Sequence, residues 1–357
     1  MITQLEIKNF RGFSEYKIDD VGQVNLLVGT NNCGKTSILE AVHLLKSRGD
    51  VSILDSITAE RRGEELESTS PPDQTTESDI RRLFHGFEFN CGSQFSIHSI
   101  GSDEENVSVE LQEIDRYRSG PPQIHPENNQ IRISWNSGTL DSHQDYPLSE
   151  TGGLSYRYTR RHYKKTDNYV VESVPPASLP ARKAVALFDT IVLTPDEDLL
   201  IDAVRIVEPD IERLASIKFS DDYISRAGII VKSRKWKERV SIGNFGDGIW
   251  RLLGIALALV RAKNGTLLID EIDTGLHHTV MSKMWKLICT TARKLNVQVF
   301  ATTHSSDCWK TLADNAVEEE FADMPIRIHR INKNKESAVT FTNREMHLAL
   351  DREIEVR

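Results

Sequence analysis

The sequence predicts an α/β fold built on a mixed, largely parallel sheet flanked by helices, and three observations carry that expectation. In the last third, apolar strands alternate with amphipathic helices: a helix over 248–262, the strand TLLID at 266–270, a helix over 280–295 and the strand VQVFATT at 297–303. Near the N-terminus, VNLLVG runs into a glycine-bearing loop and then into KTSILEAVHLLKS, where Ile38, Leu39, Val42 and Leu45 fall at helical spacing. With 357 residues, 39% apolar and 27% charged, the chain can bury a sizeable core.

Taken in order, QLEIKNFRGF and KIDDVGQVNLLVG read as two strands. The polar stretch from Ser47 to Ser78, with RRGEELESTSPPDQTTES, reads as an exposed loop, and FHGFEFNCGSQFSIHSI as strand-like. Residues 120–180 are rich in Gly, Pro, Ser, Tyr and Arg and suggest an inserted irregular or helical segment. KAVALFDTIVLTP reads as a buried strand, Asp196 to Leu214 as a helix started by Pro195 and early acids, and the tail as a hairpin turning at Asn332 to Lys335. The expected organisation is an N-terminal lobe portion at 1–110, an insertion at 111–185, a strand and helical lobe at 186–240, and a C-terminal lobe portion at 241–357.

The formal charge of −9 argues against a general polyanion coat, and the four scattered cysteines against a disulfide scaffold. The apolar run Leu252 to Val260 is too short to span a bilayer, and the opening MITQLEIKNF lacks a signal-peptide pattern. The expectation is a cytoplasmic protein with no membrane contact.

Gly29 to Thr36, GTNNCGKT, fits the phosphate-loop pattern G-x-x-x-x-G-K-[ST], between an apolar strand and an amphipathic helix. The amides of Gly29, Thr30, Asn31, Asn32, Cys33 and Gly34, with Ser37 in the first helical turn, can face phosphate oxygens. Lys35 would neutralise β and γ phosphates, and the Thr36 hydroxyl would ligate Mg2+. TLLIDEIDTGLHH delivers two carboxylates to a strand's C-terminal end, where open α/β sheets bind ligands. Asp270 is placed to hold the metal and Glu271 to polarise the attacking water. His304, in ATTHSSD one strand later, can contact a γ-phosphate or orient water. The pair His277 and His278 does not easily face one ion. Gly246-Asp247-Gly248 reads as a helix start that Asp247 can cap.

As an ordered set, Gly29 to Ser37, Gly246 to Gly248, Asp270 with Glu271, Asp273 to Leu276 and His304 resemble the ABC-type ATPase head of the RecF, SMC and OLD-like branch. LEIKNFRGF is typical of that branch, and the later motifs are similar to stand-alone AAA_15/AAA_21 ATPases, often paired with a nuclease or toxin in anti-phage defence or DNA repair. The resemblance covers about residues 1–50 and 185–310. It implies a two-lobed head that binds ATP and Mg2+ between the subunits of a homodimer or higher oligomer. Carried over by position, Asn244, Gly246 and Gly248 contact the γ-phosphate in trans, Asp273 lies in the loop that crosses the interface, and Arg11 takes the place of a phosphate-side arginine. The signature lacks the usual Leu-Ser-Gly-Gly start. No glutamine stands near Thr194 to Asp198 for the usual magnesium-side role.

ATP is favoured over GTP because NKNK at Asn332 lacks the Asn-Lys-x-Asp guanine pattern. A transporter ATPase subunit fits the NFRGF start poorly, whereas a slow-turnover sensor or scaffold holding a nuclease or toxin subunit stays open. PDED at Pro195 is more simply an acidic helix start than a nuclease site. RYTRRHYKK at 157–165 and KSRKWKER at 232–239 can grip nucleic acid or be solvated faces, so a nucleic-acid partner also stays open.

Overall fold

The computed structural model describes residues 1–62, 77–114, 129–149, 151–155, 158, 170–221 and 224–356. The chain divides into two compact units, Met1–Val21 with Asn32–Tyr169 and Asn332–Ala338, and Gly22–Asn31 with Val170–Ile331 and Val339–Arg357.

In the first unit β1 (Ile2–Phe10) pairs antiparallel with β2 (Phe13–Ile18), Leu5 opposite Ile18. The stretch read as one strand from Lys17 onward thus breaks after Ile18, and β3 (Val24–Val28) belongs to the second unit. The antiparallel sheet runs β2-β1-β5-β6-β7-β8, with β5 (Gln94–Gly101), β6 (Glu105–Glu113), β7 (Asn129–Ser137) and β8 (Leu140–Pro147). β7 and β8 fall where an irregular insertion was expected. The alternation of Ile131, Ile133 and Trp135 toward the core makes β7 a sheet strand. The two-residue strands β4 (Glu77–Ser78) and β9 (Leu154–Ser155) pair apart from this sheet.

Helix α1 (Lys35–Lys46) packs on β5 and β6, and its buried residues include Ile38, Val42 and Leu45. Helix α2 (Val51–Arg62) replaces the first part of the expected loop, because Val51, Leu54 and Ile57 recur at helical spacing and are buried. The charged remainder of that expected loop, 63–76, lies outside the described residues.

The second unit holds the expected largely parallel sheet, ordered β10-β14-β15-β3-β16-β17. β10 (Val171–Val174), β14 (Thr266–Ile269), β15 (Gln298–Thr302), β3 and β16 (Ile326–Arg330) are parallel, and β17 (Val339–Phe341) closes the hairpin antiparallel. Every residue of β3, β14 and β15 is buried, as expected for parallel strands covered on both faces. A second, antiparallel sheet has β11 (Ile211–Asp221), β12 (Ile224–Ser233) and β13 (Val240–Ser241).

Residues 183–195 were expected as a strand, but most of that stretch lies in helix α3 (Ala181–Ile191). Ala184, Val185, Phe188 and Ile191 are buried at helical spacing, a pattern that the segment's β-branched and aromatic content obscures. Helix α4 (Asp196–Val207) starts as expected but ends seven residues early, since Pro209 removes a donor and Ile211 opens β11. Helices α5 (Asp247–Arg261), α6 (His278–Leu295), α7 (Ser306–Asn315) and α8 (Asn343–Asp351) follow, α4, α5 and α6 packing on one another. No helix among the described residues is long and apolar enough to cross a membrane.

Candidate functional site

β3 ends at Val28, and the loop that follows turns through Gly29 at φ 146°, Asn32 at φ 59° and Gly34 at φ 104°. Gly34 holds the N-cap position of α1. A side chain there is excluded twice, by the left-handed φ and by the Phe13 ring, which a Cβ would meet at 2.3 Å. Lys35 is buried with its ammonium 3.8 Å from the buried Cys33 thiol, which fills space inside the loop.

Arg11 sits against α1. Its Nε donates to Glu40 Oε2 at 2.9 Å and its Nη2 to Glu40 Oε1 at 3.2 Å and to the Ile57 carbonyl at 3.1 Å. The fork therefore anchors the phosphate-loop helix, in the bidentate geometry that makes such pairs strong. Arg11 also lines, with Asn32, Gly34, Ser37, His85 and Lys333, a cavity of about 600 Å³ within the first unit. Phe87, 70% exposed, stands at its rim; neither it nor His85 carried a motif that sequence reasoning could use.

In the second unit β14, β15 and β3 are adjacent and parallel, so their C-terminal ends bring Asp270 and Glu271, Thr303 and His304, and Gly29 to Asn31 to one edge of the sheet. Asp270, Glu271, Asp273 and His304 are half-buried there. Glu271 adopts φ 45°, a strained conformation for a non-glycine residue, of order 1–3 kcal/mol. Its amide donates to Thr302 Oγ1 at 2.8 Å, while that hydroxyl donates to Asp270 Oδ1 at 2.5 Å. Thr274 Oγ1 donates to Glu271 Oε2 at 3.2 Å, and the Thr303 hydroxyl donates to Asp273.

A 3-10 turn, Ile242–Phe245, leads into α5. Gly246, not Asp247, occupies the N-cap, at φ 94° with no side-chain cap bond, because the backbone conformation there suits only glycine. Asn244 and Gly246 are exposed, and nothing among the described residues lies within 4 Å of a Cβ added at Gly246. A Cβ at Gly248 would instead touch Leu276 at 3.4 Å and the Gly275 carbonyl at 3.8 Å, so the start of α5 packs on the turn that follows the carboxylates.

One turn further along α5 lies a residue absent from the sequence-based set. Arg251 is 2% exposed; its Nη2 donates to the Asp270 and Glu271 carbonyls at 2.9 and 3.1 Å, and its Nη1 to the Pro175 carbonyl. Burial pulls the pKa of its guanidinium down to about 10, against the opposing pull of Asp270, Asp273 and Glu271. An arginine inside IWRLLGIALALV was its only sequence signal.

His277 caps α6, its Nδ1 accepting from the Thr279 amide at 3.4 Å, and its ring lies 4.0 Å from that of His278. Asp196, Glu197 and Asp198 occupy the first turn of α4, with Glu197 accepting from the Leu193 amide at 2.7 Å. In the 232–239 cluster Lys232 pairs with Glu212 at 3.0 Å and Lys235 with Glu208 at 2.7 Å. The 157–165 cluster, Tyr158 apart, lies outside the described residues.

Residues 24–307 match the AAA_21 family, described as "AAA domain, putative AbiEii toxin, Type IV TA system". The chain belongs to this family. It is an ABC-type ATPase of the RecF, SMC and OLD-like branch. The ATPase is 25% identical over 352 residues to a Helicobacter pylori protein named ATP/GTP phosphatase, covering 90% of each chain. It is 24% identical over 375 residues to the OLD nuclease of Thermus scotoductus, covering 98% of this chain and 66% of that protein. An SMC head bound to the C-winged helix domain of ScpA aligns over 96% of this chain and 97% of that one, with TM-score 0.48 and 12% identity.

Proposed function

We propose that the ATPase hydrolyses ATP at a site assembled from the phosphate loop, the Asp270–Glu271 edge and His304, and that ATP binding pairs two subunits through the start of α5. The observation that carries this reading is the shared sheet edge: the loop after β3, the two carboxylates after β14 and the histidine after β15 emerge side by side. Ligands bind at that end of open α/β sheets.

Each residue then has a task that its chemistry suits. The amides of Gly29 to Gly34 and the N-terminus of α1 receive phosphate oxygens, and Lys35 sets its charge against the β and γ phosphates. Thr36 and Asp270 supply a hydroxyl and a carboxylate, hard oxygen donors that fit Mg2+. When bound, that ion neutralises phosphate charge. Glu271 accepts the proton of the attacking water, and His304 orients it or contacts the γ-phosphate. Asn244, Gly246, Gly248 and Asp273 face the second subunit's ATP. The exposed, unobstructed Gly246 supports this, since a backbone can approach a phosphate closely there.

In the cytoplasm, pairing drives or gates a separate effector, a nuclease or toxin, in anti-phage defence or DNA repair; the naming of the family and of the Thermus relative supports that assignment. Turnover and nucleotide affinity of Lys35→Ala test the chemistry. Loss of ATP binding is the expected result, and wild-type binding and turnover would overturn the phosphate-loop assignment.

A further inference from the structure

We propose that Arg251 is a positioning residue for Glu271, through which helix α5 sets where the catalytic carboxylate sits. The inference rests on the reading of Glu271 as the base that activates water. Glu271 occupies a left-handed backbone conformation, and such a conformation persists only when its surroundings impose it. Two elements do so from opposite ends of the residue. On the amide side, Thr302 of β15 accepts the Glu271 N–H. On the carbonyl side, Arg251 of α5 takes the carbonyls of both Asp270 and Glu271, so the peptide groups on either side of the Glu271 Cα are tied to one guanidinium.

A packing role alone does not call for an arginine here. The neighbours Leu252, Leu253 and Ile255 are buried and apolar, and the Nε of Arg251 is buried with no hydrogen-bond partner among the described residues. A buried cation with one donor left over is a costly way to fill a core position. What the guanidinium adds is a directional link between α5 and the catalytic turn. The same helix begins at the exposed Gly246, so a shift of α5 when its N-terminus meets a ligand moves the anchor of Glu271.

The test is a double-mutant cycle in ATP turnover on the full chain, using Arg251→Met, Arg251→Lys and Glu271→Gln, singly and combined. Arg251→Met should lower kcat by about 30-fold or more while KM moves less than about 3-fold, because a misplaced catalytic group costs rate and not ground-state binding. Arg251→Lys, which keeps the charge and loses the fork, should recover only part of that rate. Combined with Glu271→Gln, neither substitution should slow turnover further. A loss that adds to that of Glu271→Gln, or one confined to KM, overturns the proposal. If Arg251→Met does not fold, Arg251→Lys is read by the same cycle. Wild-type kcat in the folded Arg251 variants with an inactive Glu271→Gln overturns the inference alone, whereas an active Glu271→Gln overturns the reading on which it rests.

Discussion

Glu271 and Gly34 both hold left-handed backbone conformations, at φ 45° and φ 104°, so what can replace either residue is set by the backbone as well as by chemistry. The lysine of the phosphate loop, the paired acids and the histidine stand out because their types and spacings are local, and the chemistry of phosphoryl transfer asks for them. Arg251 stayed hidden because its role depends on where α5 lies beside the end of β14, a relation between residues about twenty positions apart that no spacing rule states. Arg11 was visible, yet its bidentate hold on Glu40 became clear only once α1 was in place. At this scale Glu271→Gln should lower kcat by about 100-fold or more with ATP affinity retained, measured by steady-state turnover and equilibrium nucleotide binding. Gly34→Ala should destabilise the protein by ~2 kcal/mol in denaturant unfolding, since φ 104° and the Phe13 ring both oppose a Cβ. Phe13→Ala in the same chain should relieve only the steric share.

Among elements, α5 has the most to explain. Its buried length, with Leu252, Leu253, Ala256 and Leu259, secures it in the core, while its N-terminus stays exposed at Gly246. Gly246→Glu should therefore leave the fold and ATP binding by the single subunit intact but block ATP-dependent pairing and lower turnover. Calorimetry, nucleotide binding and turnover on one preparation check this, and pairing at wild-type strength would reduce Gly246 to a turn residue. The buried β3, β14 and β15 and helices α1, α5 and α6 were legible because long, strongly periodic segments dominate their local signal. The strand expected at 183–195 became α3 because its β-branched and aromatic residues suit either state, and only the spacing of Ala184, Phe188 and Ile191 separates them. β7 and β8 were missed for another reason. Polar outward residues such as Arg132, Ser134 and His143 dilute the alternation, and their pairing partners lie elsewhere in the chain.

At the scale of the whole molecule, the net charge is −9, and two cations of the 232–239 cluster, Lys232 and Lys235, pair with acids of the same chain, which weakens the case for those two as phosphate contacts. Replacing both lysines with alanine should leave any DNA affinity within about 2-fold across a salt titration, because phosphate contacts would otherwise show in the salt slope. The larger claim is that ATP pairs two subunits and that hydrolysis releases them. Light scattering on Glu271→Gln protein, with and without ATP and Mg2+, tests it most directly. The mass should double only when nucleotide is present, and adding Gly246→Glu should abolish the doubling. One unchanged mass with and without ATP, or doubling that survives Gly246→Glu, would contradict it.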